Sequence, residues 1–390
     1  MRKHWFVFGM AVALLAACSS EDELAQEQTL DIENLDINAL DSDVPIVFGH
    51  IGGEAGVTRG SIDADAFEAD NVGIFMLSRK NLTRSFGTNW ANNSTNAVYN
   101  KLRIWQNNTK AKIVRVTGSG VEYSKITWND DKEEHFYPSV QTFLYDFVSY
   151  APRTDSIEYD TNSVYAVIDL DGSQDVIHSH AEAPSVSPEL AYSSNYFKDV
   201  AGAEYPHFNY EHKLAALKFK VRLKGDYASV GTYVIDSIYL ENVPSRVRLF
   251  VAHRGGPNAA LDGATGNIYS IDATDQRRNF YLLENDDTSI ADGNYELTSE
   301  FQPVGDAIMI PPFAKTNANS TLKLRIVIRD LEDNSRYSPS NAITLAAPEG
   351  GWQSGKSYNI KVTLTDPVKV VAKARLDDYV EGEEYDVSDE

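Results

Sequence analysis

Leu217, Phe219, Val221 and Leu223 alternate with Lys218, Lys220, Arg222 and Lys224. Successive side chains of a strand point to opposite faces, so this pattern sends four apolar groups one way and four cations the other. Leu322, Leu324, Ile326 and Ile328 repeat it against Lys323, Arg325 and Arg329. Less regular runs lie at 72–77, 112–116, 121–128, 143–150, 164–170, 233–241, 247–251, 307–310 and 358–364. Sustained helical periodicity is missing, apart from one turn expected near 193–200. Many short strands separated by turn residues predict an all-β fold, an antiparallel sandwich or barrel, and 390 residues suffice for two cores. The expected division is 44–205 and 206–390, at Tyr205-Pro206, where a Ser-, Asn- and Gly-containing stretch meets the strongly patterned strand.

The 21 tyrosines and 16 phenylalanines favour strands. With one cysteine no intrachain disulfide is available, and the fold must rest on buried apolar surface. That cysteine, Cys18, follows Leu15-Ala16-Ala17, behind Arg2, Lys3 and an apolar run over 5–17. The run is too short to span a bilayer, and the layout is that of a bacterial lipoprotein signal: residues 1–17 removed, the Cys18 thiol acylated. An ordinary signal peptide with a chance cysteine is the plainer alternative.

Removing residues 1–17 takes Arg2 and Lys3 away and moves the formal charge from −22 to −24. Such a polyanion is a poor partner for nucleic acid or anionic headgroups, so membrane contact is expected through the lipid on Cys18. Residues 19–43 hold nine acidic and no basic side chains, the composition of a solvated tether (18–43). Leu24, Leu30, Leu35 and Leu40 could line only a marginal helix there.

Sites for chemistry are suggested and then fail on context. Gly350, Gly355, Lys356 and Ser357 fit the phosphate-loop spacing, but a strand pattern follows where a helix is needed. Asp169-Leu170-Asp171-Gly172 lacks the remaining ligands of a calcium loop. His178 and His180 have no nearby cysteine and read as solvated imidazoles. No nucleophile elbow is present, so no catalytic residue, cofactor or metal is expected, and the chain does not read as an enzyme.

An ordered set of landmarks runs along the chain. It begins with Val57-Thr58-Arg59-Gly60, Val72-Gly73-Ile74-Phe75, Ile126-Thr127-Trp128 and Phe136-Tyr137-Pro138. It continues with 145–152 (YDFVSYAP), 171–175 (DGSQD), Leu190-Ala191-Tyr192 and 210–219 (YEHKLAALKF). Together these resemble the fimbrillin family, the pilus subunits and related lipoproteins of Bacteroidetes, from the lipid site to about Leu376. The acidic residues after Cys18 likewise resemble an export signal of surface lipoproteins, or are simply the start of the tether. Tyr379 stands where relatives often carry Trp, and an acidic tail follows.

The resemblance implies two transthyretin-like β-sandwich domains in tandem, maturation by proteolysis, and polymerisation by strand exchange with pilus subunits of the same or related type. It implies an outer-membrane, surface-exposed lipoprotein that enters the fimbrium after processing and adheres to host or bacterial surface ligands.

The residues permit that mechanism. Arg59 is the first Lys or Arg after Cys18 and lies in a Gly-rich stretch, so a protease cutting between Arg59 and Gly60 would meet it first. Upstream, Val44, Ile46 and Phe48 alternate as one face of a strand that such a cut would release, opening an apolar groove. Val368, Val370, Ala372, Ala374 and Leu376 alternate with Lys369, Lys373 and Arg375, a candidate donor strand (367–376) for a neighbour's groove. Burying five such side chains contributes on the order of 5–10 kcal/mol before ordering costs. Two plainer readings stand beside these: an uncut loop arginine, and a last strand belonging to its own domain. The alternative function is an anchored glycan-binding lipoprotein using Trp90, Trp105 and Trp128 as stacking platforms, although core aromatics explain them more simply.

Overall fold

A computed structural model describes residues 35–49, 52–53, 67–81, 89–91, 95–118, 121–132, 134–140, 143–187, 192–225, 233–256, 259–271, 276–284, 295–314, 321–337, 342–366 and 371–378. The architecture is all-β, with two short helices among these residues.

The largest sheet runs in the order Gly52–Gly53, Asn209–His212, Ile177–His180, Phe143–Ala151, Ala69–Asn81, Ile104–Gly118, Val121–Trp128. Its pairs are antiparallel except the first, which is parallel. Every residue of Phe143–Ala151 is buried, because alternate side chains enter two different cores. Val148 and Tyr150 join Phe75 and Leu77 in one core, while Phe143, Tyr145 and Phe147 join Ile74 and Met76 in the other. The sheet is thus a wall with apolar packing on both sides, which blurs strict alternation in its central strands. Gly73 allows this packing: a Cβ there would sit 2.6 Å from Cε1 of Tyr150 and 2.5 Å from Oδ1 of Asn108.

In the C-terminal half one sheet is ordered Gln302–Ile310, Ala215–Leu223, Ser357–Asp366, Val371–Asp378. A second is ordered Arg277–Glu284, Tyr233–Pro244, Thr321–Asp330, Arg336–Tyr337, with Ile343–Ala346 also paired to Thr321–Asp330. Leu217, Phe219, Val221 and Leu223 are buried with Ile238, Leu240, Leu324 and Ile326, as their alternation predicts.

The expected division near 205 and 206 does not separate the strands. Tyr233–Pro244 lies in a C-terminal sheet, yet after Ser245 the strand Arg246–His253 pairs with Ser163–Asp169 from the first half. Ile157–Tyr159 and Ile268–Ser270 complete that sheet. Val164, Ala166 and Ile168 lie with Val247, Leu249 and Val251 in one core that extends to Leu364. Local alternation carries no information about which strands pair at long range.

The expected tether also ends earlier than its charge pattern. Asp36 caps a 3-10 turn, Ile37–Ala39, and Asp41–Pro45 is a strand. Leu40 is buried and Leu35 packs against the second core, so these two leucines fold with the chain rather than line a transient helix.

Candidate functional site

Segment 35–49 lies over the second core of the N-terminal half. Among the described residues Asp41–Pro45 pairs antiparallel with Phe136–Pro138 alone, Asp41 opposite Pro138 and Pro45 opposite Phe136. The amide of Ser139 donates to the Leu40 carbonyl at 2.6 Å, and the amide of Ile46 donates to the His135 carbonyl at 2.7 Å. Gly49 donates to the Pro206 carbonyl at 2.9 Å. Asp43 pairs with Lys198 on the helix Ser194–Asp199, which holds its carboxyl below the usual range.

The side chains alternate as expected. Val44, Ile46 and Phe48 pack inward with Leu40, whereas Pro45 and Val47 face outward. Phe48 sits in a nest of rings, with centroids 5.4 Å from Trp128, 5.4 Å from Phe208 and 5.6 Å from Phe147. The groove beneath the segment is therefore aromatic, and Tyr137, Tyr192 and Phe197 extend it. Burying Leu40 and Ile46 fully and Val44 and Phe48 in part contributes about 6–9 kcal/mol as an upper estimate. That is comparable with the net stability of a whole domain.

Arg59 and Gly60 lie outside the described residues, between the strand Gly52–Gly53 and Phe67. Phe67 marks the chain's return: its amide donates to Oγ of Ser124 at 2.7 Å, and that hydroxyl donates back to the Phe67 carbonyl at 2.7 Å. Cys18 also lies outside the described residues, as do Val368 and Val370. Ala372, Ala374 and Leu376 fall in the edge strand Val371–Asp378, opposite Leu364, Val362 and Ile360 of the same chain.

None of the three tryptophans is an open platform. Trp90 is fully buried under the Arg254 guanidinium, 4.0 Å from its ring centroid. Trp105 is buried and donates Nε1–H to the Phe136 carbonyl at 2.6 Å. Trp128 is half-buried between the rings of Phe48 and His135. Nearby, burial raises the Asp146 carboxyl to about 6 against the opposing pull of Arg79 and Arg254.

The two histidines differ: His180 is exposed, as a solvated imidazole would be, but the same expectation fails for His178. His178 is buried, and because a carbonyl only accepts, its Nε2–H donates to Val251 at 2.9 Å. Burial, with Lys213 next, lowers its pKa to about 3, so the ring is neutral. Among the described residues no group of three His, Cys, Asp or Glu is placed to hold a metal. Asp169 pairs with Arg246 at 2.7 Å, and Asp171 accepts from Ser173 in a local turn. Lys356 leads into the strand Ser357–Asp366, the context that excludes a phosphate loop.

The fimbrillin-like family model matches residues 58–378, from beside Arg59 to the end of the last described strand. The chain belongs to the fimbrillin-like family. Membership supports the role of a pilus subunit, structural and non-enzymatic, at the cell surface. Solved structures similar to it include a candidate cell adhesion protein from Bacteroides uniformis, 13% identical, covering 89% of this chain and 100% of its own, with TM-score 0.42. Another, from Bacteroides fragilis, is 12% identical over 87% of this chain and 99% of its own, with TM-score 0.41. A fimbrial protein from Bacteroides vulgatus is 12% identical over 85% and 99%, with TM-score 0.39. No curated relative matches.

Proposed function

We propose that this fimbrillin-like protein is a lipid-anchored precursor whose segment 35–49 occupies the groove that a neighbouring subunit's strand fills in the fimbria. The lipid on Cys18 delivers it to the outer-membrane surface, and a cut between Arg59 and Gly60 severs the segment from the remainder. The incoming strand is the region 367–376 of the next subunit, with Val368, Val370, Ala372, Ala374 and Leu376 as its inward positions. The observation that supports this reading is the segment's attachment: a two-stranded pairing and four apolar side chains upstream of Arg59.

The energetics add a condition. With about 6–9 kcal/mol of apolar contact, the cut segment stays in its groove until another strand competes for it. The donor also leaves a longer ladder, paired from Tyr358 opposite Asp378 to Asp366 opposite Val371. The subunit contact must offset both departures, so assembly is slow without an incoming strand. The burial of Trp90 and Trp105 gives no support to a glycan platform at those residues.

The test is treatment with an Arg-specific protease followed by size-exclusion chromatography. Higher oligomers are expected from the intact chain and none from Arg59→Ala or from a chain lacking 368–390. Equal oligomerisation by all three would overturn the proposal.

A further inference from the structure

Lys220, Lys361 and Arg375 form one row across three adjacent strands of the C-terminal sheet. Lys220 stands beside Lys361 in the parallel pair, and Lys361 stands opposite Arg375 in the antiparallel pair. Neighbouring strands lie about 4.8 Å apart, and like charges directly opposite one another destabilise a sheet. The flanking rows are Arg222, Thr363, Lys373 and Lys218, Asn359, Asp377. The intervening residues Phe219, Val221, Ile360 and Val362 are buried, so Lys218, Lys220, Arg222 and Lys361 lie on the face turned away from the core.

Six cationic positions share these rows and the adjoining strand with two acidic ones, Asp377 and Asp306 on Gln302–Ile310. This local excess sits on a protein of formal charge −22. Phe301 offsets part of the repulsion, its ring centroid 4.3 Å from the Arg222 guanidinium and 5.7 Å from Nζ of Lys361. Folding alone needs no such row, since outward strand positions accept Thr or a mixture of signs. The row's sign and spacing are complementary to an anionic segment.

We infer that this face is the docking surface for the chain's own C-terminal segment, residues 379–390. That segment carries Glu381, Glu383, Glu384, Asp386, Asp389 and Glu390 and no Lys or Arg. It starts directly after Asp378, at the end of the strand that contributes Arg375. Twelve extended residues reach about 40 Å, whereas a four-stranded sheet is about 15 Å across. Being tethered, the segment acts at an effective concentration near the millimolar range, which a free polyanion or a second copy does not match in dilute solution. The assignment does not depend on strand exchange. If exchange occurs, the segment leaves with the strand and the cationic face is uncovered.

The test compares the mature chain carrying Cys18→Ser with the same chain ended after Asp378. Lysine acetylation rates at Lys220 and Lys361 are read by mass spectrometry. Truncation is expected to raise both several-fold at low salt, and about 0.5 M NaCl is expected to bring the full chain to the same rates. Lys323, on the other C-terminal sheet, serves as reference and keeps its rate. On a heparin column the truncated chain is retained more strongly than the full chain, and Lys220→Gln reduces that retention. Equal rates with and without residues 379–390 would overturn the inference. Protection that grows with protein concentration would overturn it too, since a second copy would then be the occupant.

Discussion

Replacing Phe48 by alanine probes the hold of the N-terminal segment most sharply. The ring has three aromatic neighbours at 5.4–5.6 Å and is half-buried. Full burial makes Phe→Ala cost about 3–5 kcal/mol, so the partial exposure here scales the loss to about 2–3 kcal/mol. In the uncut chain that loss appears as a lower urea midpoint with unchanged slope. After cleavage at Arg59, confirmed by a new N-terminus at Gly60, the same energy governs retention of the released segment. Its affinity should fall about 30- to 150-fold, read by native mass spectrometry across a dilution series. Val47→Ala, at an outward position 43% exposed, should change neither quantity. If Phe48→Ala and wild type keep the segment equally well, the groove is not held by this ring and the reasoning fails.

Other outcomes follow from buried groups. The folded pKa of Asp146, about 6, lies above its ordinary value of 3.8, so its ionisation opposes folding: the penalty is absent below about pH 4 and complete above about pH 6. Asp146→Asn should therefore gain about 2–3 kcal/mol relative to wild type between pH 4 and pH 7, measured by urea unfolding at both; a pH-independent difference would contradict this. Gly73→Ala should lose about 1–3 kcal/mol and alter the near-ultraviolet tyrosine signal, because Tyr150 and Asn108 are bonded to each other at 2.9 Å and cannot both retreat; an unchanged melting temperature would count against it. Trp105→Phe removes the donor to the Phe136 carbonyl, beside the pairing with Asp41–Pro45, and should destabilise by about 1–3 kcal/mol, checked by thermal unfolding.

Strands with one solvated face were legible from alternation. Val121–Trp128 and Ala215–Leu223 fall where their patterns put them, and Asn96 and Ser193 cap the two helices with short polar side chains. The helix Ala97–Arg103 leaves no sequence signature, because seven residues are too few for a periodic signal and only Val98 and Leu102 supply its apolar pair. Pairing of Arg246–His253 with Ser163–Asp169 was beyond reach, since register follows from which cores the strands share. Within the site, the inward face of Val44, Ile46 and Phe48 could be read directly. Its partners could not: Trp128, Phe147 and Phe208 converge on Phe48 from three separate strands or loops. The row of Lys220, Lys361 and Arg375 needed the register as well.

The central claim is that the segment ahead of Arg59 is a removable occupant of the groove. Intact mass analysis of the protein from sheared surface fibres and from the membrane fraction of the same cells tests it most directly. The account predicts chains beginning at Gly60 in the fibres and acylated Cys18 chains in the membrane fraction. Fibres built from chains that still begin at acylated Cys18 would contradict it.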